Sequence, residues 1–457
     1  MRNHLWGPSS SMSARDNERT RPWSRVFVLS LLAIGASCTE ITTLAQENPG
    51  QLSAGDLYNP TNAPLLVNGA IADFECAFSR YVVGVGVFTD ELANAIANTN
   101  NIDYDRRTFT SGAAYGTGTC ANNQIAPIYT TLSVARTSAD TAVGKLRGWS
   151  DAEVPNRTKL IGQASAYAGY SLVLMGEAMC TAAINLGPEL QPAAIFAEAK
   201  KRFDDAIAAA TTSGDTQTLN FATLGRARAE WDLADPAKLL TGDPNLAAAA
   251  ADAAKITSPT FAVNISTNAA NVRQQNWVFS SVNQSFWATV DPSFRNLTVD
   301  NTPTGTPDPR TLVTNTGKTG TSQSTPIWTA NKYSSLATTI PIAKYAEAQL
   351  IIAESKAATD ATGAEAAINN ARNTHPGMPQ YSALGQTPAQ ILAQIVEERR
   401  RELFLEGHRL GDFHHFGLPI LPAADSPYPA SGNYGKLSCF PLPDVERINN
   451  PTIAKGG

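Results

Sequence analysis

Ile395–Phe416, IVEERRRELFLEGHRLGDFHHF, is dense in charge where the rest of the chain is dense in alanine, threonine and asparagine. Read as a helix, Leu392, Val396 and Leu403 follow i, i+4, i+11 spacing and share one face, with Arg399 between them. An arginine inside an apolar stripe has to be paired, because an unpaired buried charge is costly. Glu402 stands at i+3 from Arg399 and Glu406 at i+4 from Glu402, both within reach. Gly407 offers a stop or kink, and Arg409 and Asp412 follow. The pattern predicts an ion network of Glu398, Arg399, Glu402, Glu406, Arg409 and Asp412 that fastens a late helix to the body. A hydrolase using Glu397/Glu398 or Glu402/Glu406 is the competing reading. It is disfavoured because neighbouring arginines lower carboxyl pKa values, whereas a glycosidase needs one raised.

This stretch resembles the E-R-R-R-E-L-x-x-E-G-x-R-x-x-D signature of SusD/RagB-like outer-membrane nutrient-binding lipoproteins. Glu398, Arg399, Arg400, Arg401, Glu402, Leu403, Glu406, Gly407, Arg409 and Asp412 fall on it. Asp308-Pro309-Arg310 resembles a DPR step of that family. IAKYAEAQLIIAESKA from Ile342 resembles one of its late helices, and Cys439–Glu446 with Asn450-Pro451 its closing element. The resemblance implies a mostly α, SusD-like fold: a TPR-like helical-hairpin scaffold with a loop-rich insertion. It further implies a non-enzymatic binding protein, without cofactor, that caps a SusC-like TonB-dependent outer-membrane barrel. That protein would hand the barrel an oligosaccharide or peptide.

Composition sets bounds on these expectations. The 457 residues carry a net charge of −5, and no basic run exists beyond Arg399–Arg401, so nucleic acid is not an expected partner. Val26–Ala36 (VFVLSLLAIGA) is apolar, but at 1.5 Å per residue it spans only about 16 Å, too short for a bilayer. It reads as the core of a signal peptide covering residues 1–38. Gly35-Ala36-Ser37-Cys38 resembles a lipoprotein cleavage site, which would put a lipid on Cys38 and the protein on the outer face of the outer membrane. Ordinary cleavage near Ala45 is the alternative, and Met12 is an alternative start. Residues 39–63 read as a flexible tether.

The body, 64–457, reads as one domain. Its first part, 64–256, has helical patterns at Leu65–Val87, Gln124–Leu146, Leu160–Met179, Ala193–Ala210, Phe221–Leu233 and Leu246–Ile256, with turn-rich sequence over 88–122. Small residues such as Gly225, Ala227 and Ala229 suit stacked helical hairpins. Residues 257–340 are loop-rich, with a short strand expected at Asn276–Ser280. Residues 341–457 return to helix at Ile342–Ala358, Gly363–Asn373 and after Thr387-Pro388, a cap and first turn.

Cys38 aside, four cysteines remain, an even number in an exported chain. Cys76–Cys120 with Cys180–Cys439 is the favoured connectivity of three, free thiols being the alternative. The adjacent His414-His415 gives no metal site. The loop-rich region holds Trp277, Trp287, Trp328 and Phe286, with Asn276, Asn283, Gln284 and Arg295 as donors. Sugars present apolar ring faces edged with hydroxyls, which indole and phenyl rings match. Trp277, Phe286, Trp287, Arg295 and Trp328 are therefore the expected ligand residues, with Asp90–Asp105 as second choice. Packing of these rings between loop and scaffold is the plainer reading. A periplasmic TPR-like interaction scaffold is the alternative function.

Overall fold

A computed structural model describes residues 57–120, 127–322 and 325–454. The leader, Cys38, residues 39–56 of the tether and residues 124–126 lie outside the described residues. After a short 3-10 turn at Pro60–Asn62, helix α1 (Ala63–Phe88) begins with Pro64 in its first turn. From Phe74 onward every residue of α1 is buried, as expected of a helix apolar on all sides. Over 88–120 the chain is more ordered than its turn-rich composition suggests. It forms strand β1 (Leu92–Asn94) and helix α2 (Thr99–Arg106), capped by Asn98.

Antiparallel helices then stack in chain order: α3 (Tyr129–Gly148), α4 (Arg157–Ala178), α5 (Pro192–Ser213), α6 (Thr216–Asp232) and α7 (Pro244–Ala253). Strands β2 (Ala182–Ala183) and β3 (Glu189–Leu190) form a small pair between α4 and α5. Gly214, with φ +69°, ends α5, and Asp215 caps α6, so the turn between them is only two residues long. Close packing rests on the small residues: a Cβ on Gly169 or Gly225 would overlap the Phe203 ring. The result is a mostly α, TPR-like hairpin scaffold with a loop-rich insertion.

The insertion is tied to the scaffold by two-stranded pairs. β4 (Ala262–Asn264) pairs with β8 (Pro341–Lys344), and β5 (Ala288–Val290) pairs with β1. β6 (Val313–Thr319) and β7 (Pro326–Ala330) make a hairpin. Two local expectations fail here. Trp277–Gln284 is helical, ending in a π turn, and not a strand; the Asn276 side chain caps it by accepting from Phe279 N–H. Ile342–Lys344 is strand, and helix α8 (Tyr345–Lys356) starts only after it, because β4 supplies a ladder that the sequence pattern cannot show. Helices α9 (Ala361–Arg372) and α10 (Pro388–Glu402) follow, the latter opened by a full capping box of Thr387 and Gln390.

The charged stretch is not one helix. α10 stops at Glu402, Leu405 (φ 56°) and Gly407 (φ +77°) turn the chain, and α11 (Arg409–His415) begins beyond them. The apolar stripe is set one position back from the expected one: Ile391 and Ile395 are buried while Leu392 and Val396 are half-buried, though Leu403 is buried as expected. The pairing is largely long-range. Arg399 bonds Asp412 at 2.8 Å and not Glu402, and its guanidinium lies 4.0 Å from the Trp231 ring centre. Glu398 sits between Arg310 (2.6 Å) and Arg372. Asp308 bridges Arg310 (2.7 Å) and Arg401 (3.0 Å). Glu402 takes Lys344 (2.9 Å) and His375, and Glu406 takes Lys332 (2.6 Å) and Lys344. Arg409 reaches back to Asp90 at 2.6 Å. Burial pushes the Glu398 carboxyl up, but Arg310 and Arg372 outweigh it and hold it below its usual range; Lys344 and His375 do the same for Glu402.

Disulfides join Cys76 to Cys120 and Cys180 to Cys439. Next to the second, Phe440 enters a cluster with Phe88, Tyr104, Phe109 and Tyr115. The chain closes through α12 (Asp444–Asn449) and α13 (Pro451–Ala454).

Glu398→Ala would strip Arg372 of its carboxylate and leave Arg310 paired with Asp308, and is expected to cost about 3–5 kcal/mol in chemical denaturation. Glu397→Ala, where the carboxylate is 28% exposed, is expected to cost about 1 kcal/mol or less.

Candidate functional site: a loop-built cleft beside Arg295

The aromatic residues expected to bind ligand do not converge on one surface. Trp277 is 2% exposed, its ring under the Arg80 guanidinium at 4.6 Å and edge-on to Trp287 at 5.6 Å. Those two indoles line a cavity of about 20 Å³ with Asn94 and Tyr104, room for a single water and not for a sugar. Trp277 is a spacer between α1 and the insertion. Asn276 and Asn283, the expected donors, bond backbone carbonyls at Thr338, Ala330 and Tyr333 and hold the insertion together. Phe286 is half-buried with Lys318 4.6 Å over its ring, and its φ of 54° is unusual for a bulky residue. Arg295 and Trp328 do meet: the guanidinium stands 5.3 Å from the indole centre, steered by a 2.9 Å bond from its Nε to Val290 O.

Arg295 also lines a cleft of about 270 Å³. Its walls come from segments far apart in sequence: Thr89–Arg107, Asp291–Arg295, Thr325-Pro326 and Leu421–Tyr434. The second-choice segment, Asp90–Asp105, therefore contributes through Ala93, Asn94 and Asp105. Arg107, the left-handed cap of α2, lies 5.0 Å over the Tyr434 ring and donates to the carbonyls of Leu421 and Pro422. Tyr428 and Tyr434 meet edge to face at 5.1 Å. Asp105 accepts from Asn94 N–H at 3.0 Å and from the Tyr428 hydroxyl at 2.9 Å. Burial nevertheless pushes its carboxyl up to about 7, and burial raises Asp291 as well.

Tyr428, Tyr434 and Asp291 escaped the sequence reading. The available signal was a tyrosine pair in a stretch of turn formers, SPYPASGNYG from Ser426. The cleft presents guanidinium, carboxyl, phenol and amide groups over a partly apolar wall, which suits a polyhydroxylated ligand. Among the described residues there is no group of three or more His, Cys, Asp or Glu able to hold a metal. Among them, too, no helix is long and apolar enough to cross a membrane.

The cleft is built outside the stacked hairpins, from loops, strand β1 and the last turn of α2. Residues 258–416 match the sequence model of the SusD family. A SusD superfamily protein from Bacteroides vulgatus has TM-score 0.60 at 15% identity, over 86% of this chain and 98% of its own. One from Bacteroides fragilis has TM-score 0.62 at 15% identity, over 86% and 99%. Surface glycan-binding protein A from Bacteroides thetaiotaomicron, solved with laminarihexaose, has TM-score 0.61 at 12% identity, over 86% and 98%. A search of curated proteins finds no match. Residues 258–416 thus carry the sequence pattern of the SusD family, and the chain shares the fold of these structures.

Raised above its ordinary 3.8, the Asp105 carboxyl favours the fold while protonated. Its contribution is present below about pH 4 and is lost as pH rises through about 7. Asp105→Asn is therefore expected to flatten the fall in melting temperature between those values, measured by a pH series of thermal melts on both proteins.

Proposed function

We propose that this protein is a non-enzymatic surface receptor that binds an oligosaccharide in the 270 Å³ cleft and along the adjoining Arg295–Trp328 pair. The observation that carries the reading is the placement of a cation-backed, half-buried indole beside a loop-built cleft with hydrogen-bonding walls. A ring there can stack on a sugar face while the Arg295 guanidinium addresses hydroxyls. The glycan-bound relative of the same fold supports carbohydrate over the peptide that the resemblance also allows. A binding role and not hydrolysis is supported by Glu398 and Glu402 of α10, held below the usual carboxylate range by the cations around them. The protein is anchored by a lipid on Cys38 at the outer face of the outer membrane. There it passes its ligand to a SusC-like TonB-dependent barrel. These last steps rest on the leader and motif resemblance.

A glycan array followed by calorimetry on the best oligosaccharide tests the site. Trp328→Ala and Arg295→Ala are each expected to weaken binding about tenfold with the melting temperature kept, the loss of one stacked ring or one charge-assisted bond. Unchanged affinity in both would remove the cleft from consideration. Extraction of native outer membrane in mild detergent is expected to recover the protein with a larger barrel and with lipid on Cys38. Recovery alone in the soluble periplasmic fraction would sink the uptake reading.

A further inference from the structure

A second cavity, about 410 Å³, opens beside the Cys180–Cys439 bridge, where the ends of α4, α5, α6 and α11 come together. Met179, Phe196, Leu233 and the Cys180–Cys439 bridge make its apolar wall, and Asp232, the last residue of α6, stands on it. Asp232 Oδ2 is buried and meets no N–H or hydroxyl donor; the Glu177 carboxyl lies within hydrogen-bond reach of the group. The cations acting on it are Arg228 and Arg399, and Arg399 Nη1 has no partner of its own. Arg228 holds Glu177 at 2.6 and 2.8 Å, and Arg399 holds Asp412. The two ring nitrogens of His415 go to Trp231 O and Glu354, and His414 Nε2 goes to Ser438 O. Burial, and then the neighbouring Glu177, push the Asp232 carboxyl well up, outweighing the opposite pull of Arg228 and Arg399.

The helix ends give the cavity the same sign. α4 and α6 both present their C-termini, the negative ends of their dipoles. The one N-terminus, that of α5, leaves only the Ala193 amide to an anion. Pro192 has no N–H, and the amides of Ala194 and Ile195 are taken by Gln191 O. With apolar walls and, among the described residues, no metal-ligand cluster, the complement is an organic cation.

We propose that this cavity is a second binding site, for a primary ammonium group, with Asp232 as its counter-ion and Phe196, Met179 and Leu233 covering the carbons beside the nitrogen. Binding would expel the Asp232 proton to solvent, leaving a carboxylate–ammonium pair. The ammonium could come from an amino sugar or from a lysine side chain.

Calorimetry on the full chain with glucosamine, with an acetylated lysyl peptide bearing a free side-chain amine, and with N-acetylglucosamine tests this. Saturable binding of at least one of the two amines is expected, with a heat that changes between buffers of different ionisation enthalpy. Glucosamine alone would assign the sugar source, the peptide alone the lysine source. Asp232→Asn is expected to weaken that binding about tenfold or more, the loss of a charge-assisted contact. Ala193→Trp, which fills the mouth from an exposed position, should do the same in a folded protein even if Asp232→Asn does not fold. Trp328→Ala should leave amine binding intact, which separates this site from the cleft. Absence of binding by both amines, equal binding by Ala193→Trp, or equally tight binding of N-acetylglucosamine in the same cavity would overturn the proposal.

Discussion

The structure depends on keeping a set of charges dry and matched around α10. Glu398, Asp308, Glu402 and Glu406 are each almost fully buried, and each is met by arginine or lysine from a different part of the chain. Desolvating such groups costs as much as their attraction returns, so the lattice adds little net stability over an apolar core of equal volume. What it adds is exclusivity. A misplaced Arg310 or Lys344 would leave a carboxylate alone in low dielectric, and the penalty falls on every arrangement but one. The hairpins, whose alanine-rich faces could slide, are thereby given a single register against the insertion.

The same constraint sets the cleft. Arg409 grips Asp90 from one end of β1, while the Glu91 carboxyl accepts the Leu405 N–H beside it. Strand β1 then pairs with β5, from which Arg295 is aimed. Asp308, between Arg310 and Arg401, pins the far end of the same loop. Loops that would otherwise carry many conformations are held at their roots by ions of the scaffold, which is how a site made largely of loops can be presented in one shape.

Much of this was legible in sequence because it is periodic or stoichiometric. Helices of the scaffold announce themselves by 3.6-residue spacing, four cysteines pair in the favoured connectivity, and Arg399 in an apolar stripe demands an anion. The identity of that anion was not legible: Asp412 is thirteen positions away, on another helix, and only the reversal at Leu405 brings it back. Strand β8 and the helical turn at Trp277 were missed for a related reason, since a partner strand and an asparagine cap decide them. The cleft was half visible. Arg295 and the Asp90–Asp105 segment were named, but Tyr428 and Tyr434 sit in a stretch whose composition says only turn, and Trp277 proved to be packing.

The Cys180–Cys439 bridge encloses 259 positions of the chain. On a ribosome, or threading through a membrane, the N-terminal hairpins emerge long before the cysteine that closes them, and before the α10 charges that fix their register. The early half must therefore wait with Cys180 reduced and Trp231 without its histidine and arginine covers. Completion is an event of the last few dozen residues, and a chain stalled short of them would have its scaffold formed yet unlocked.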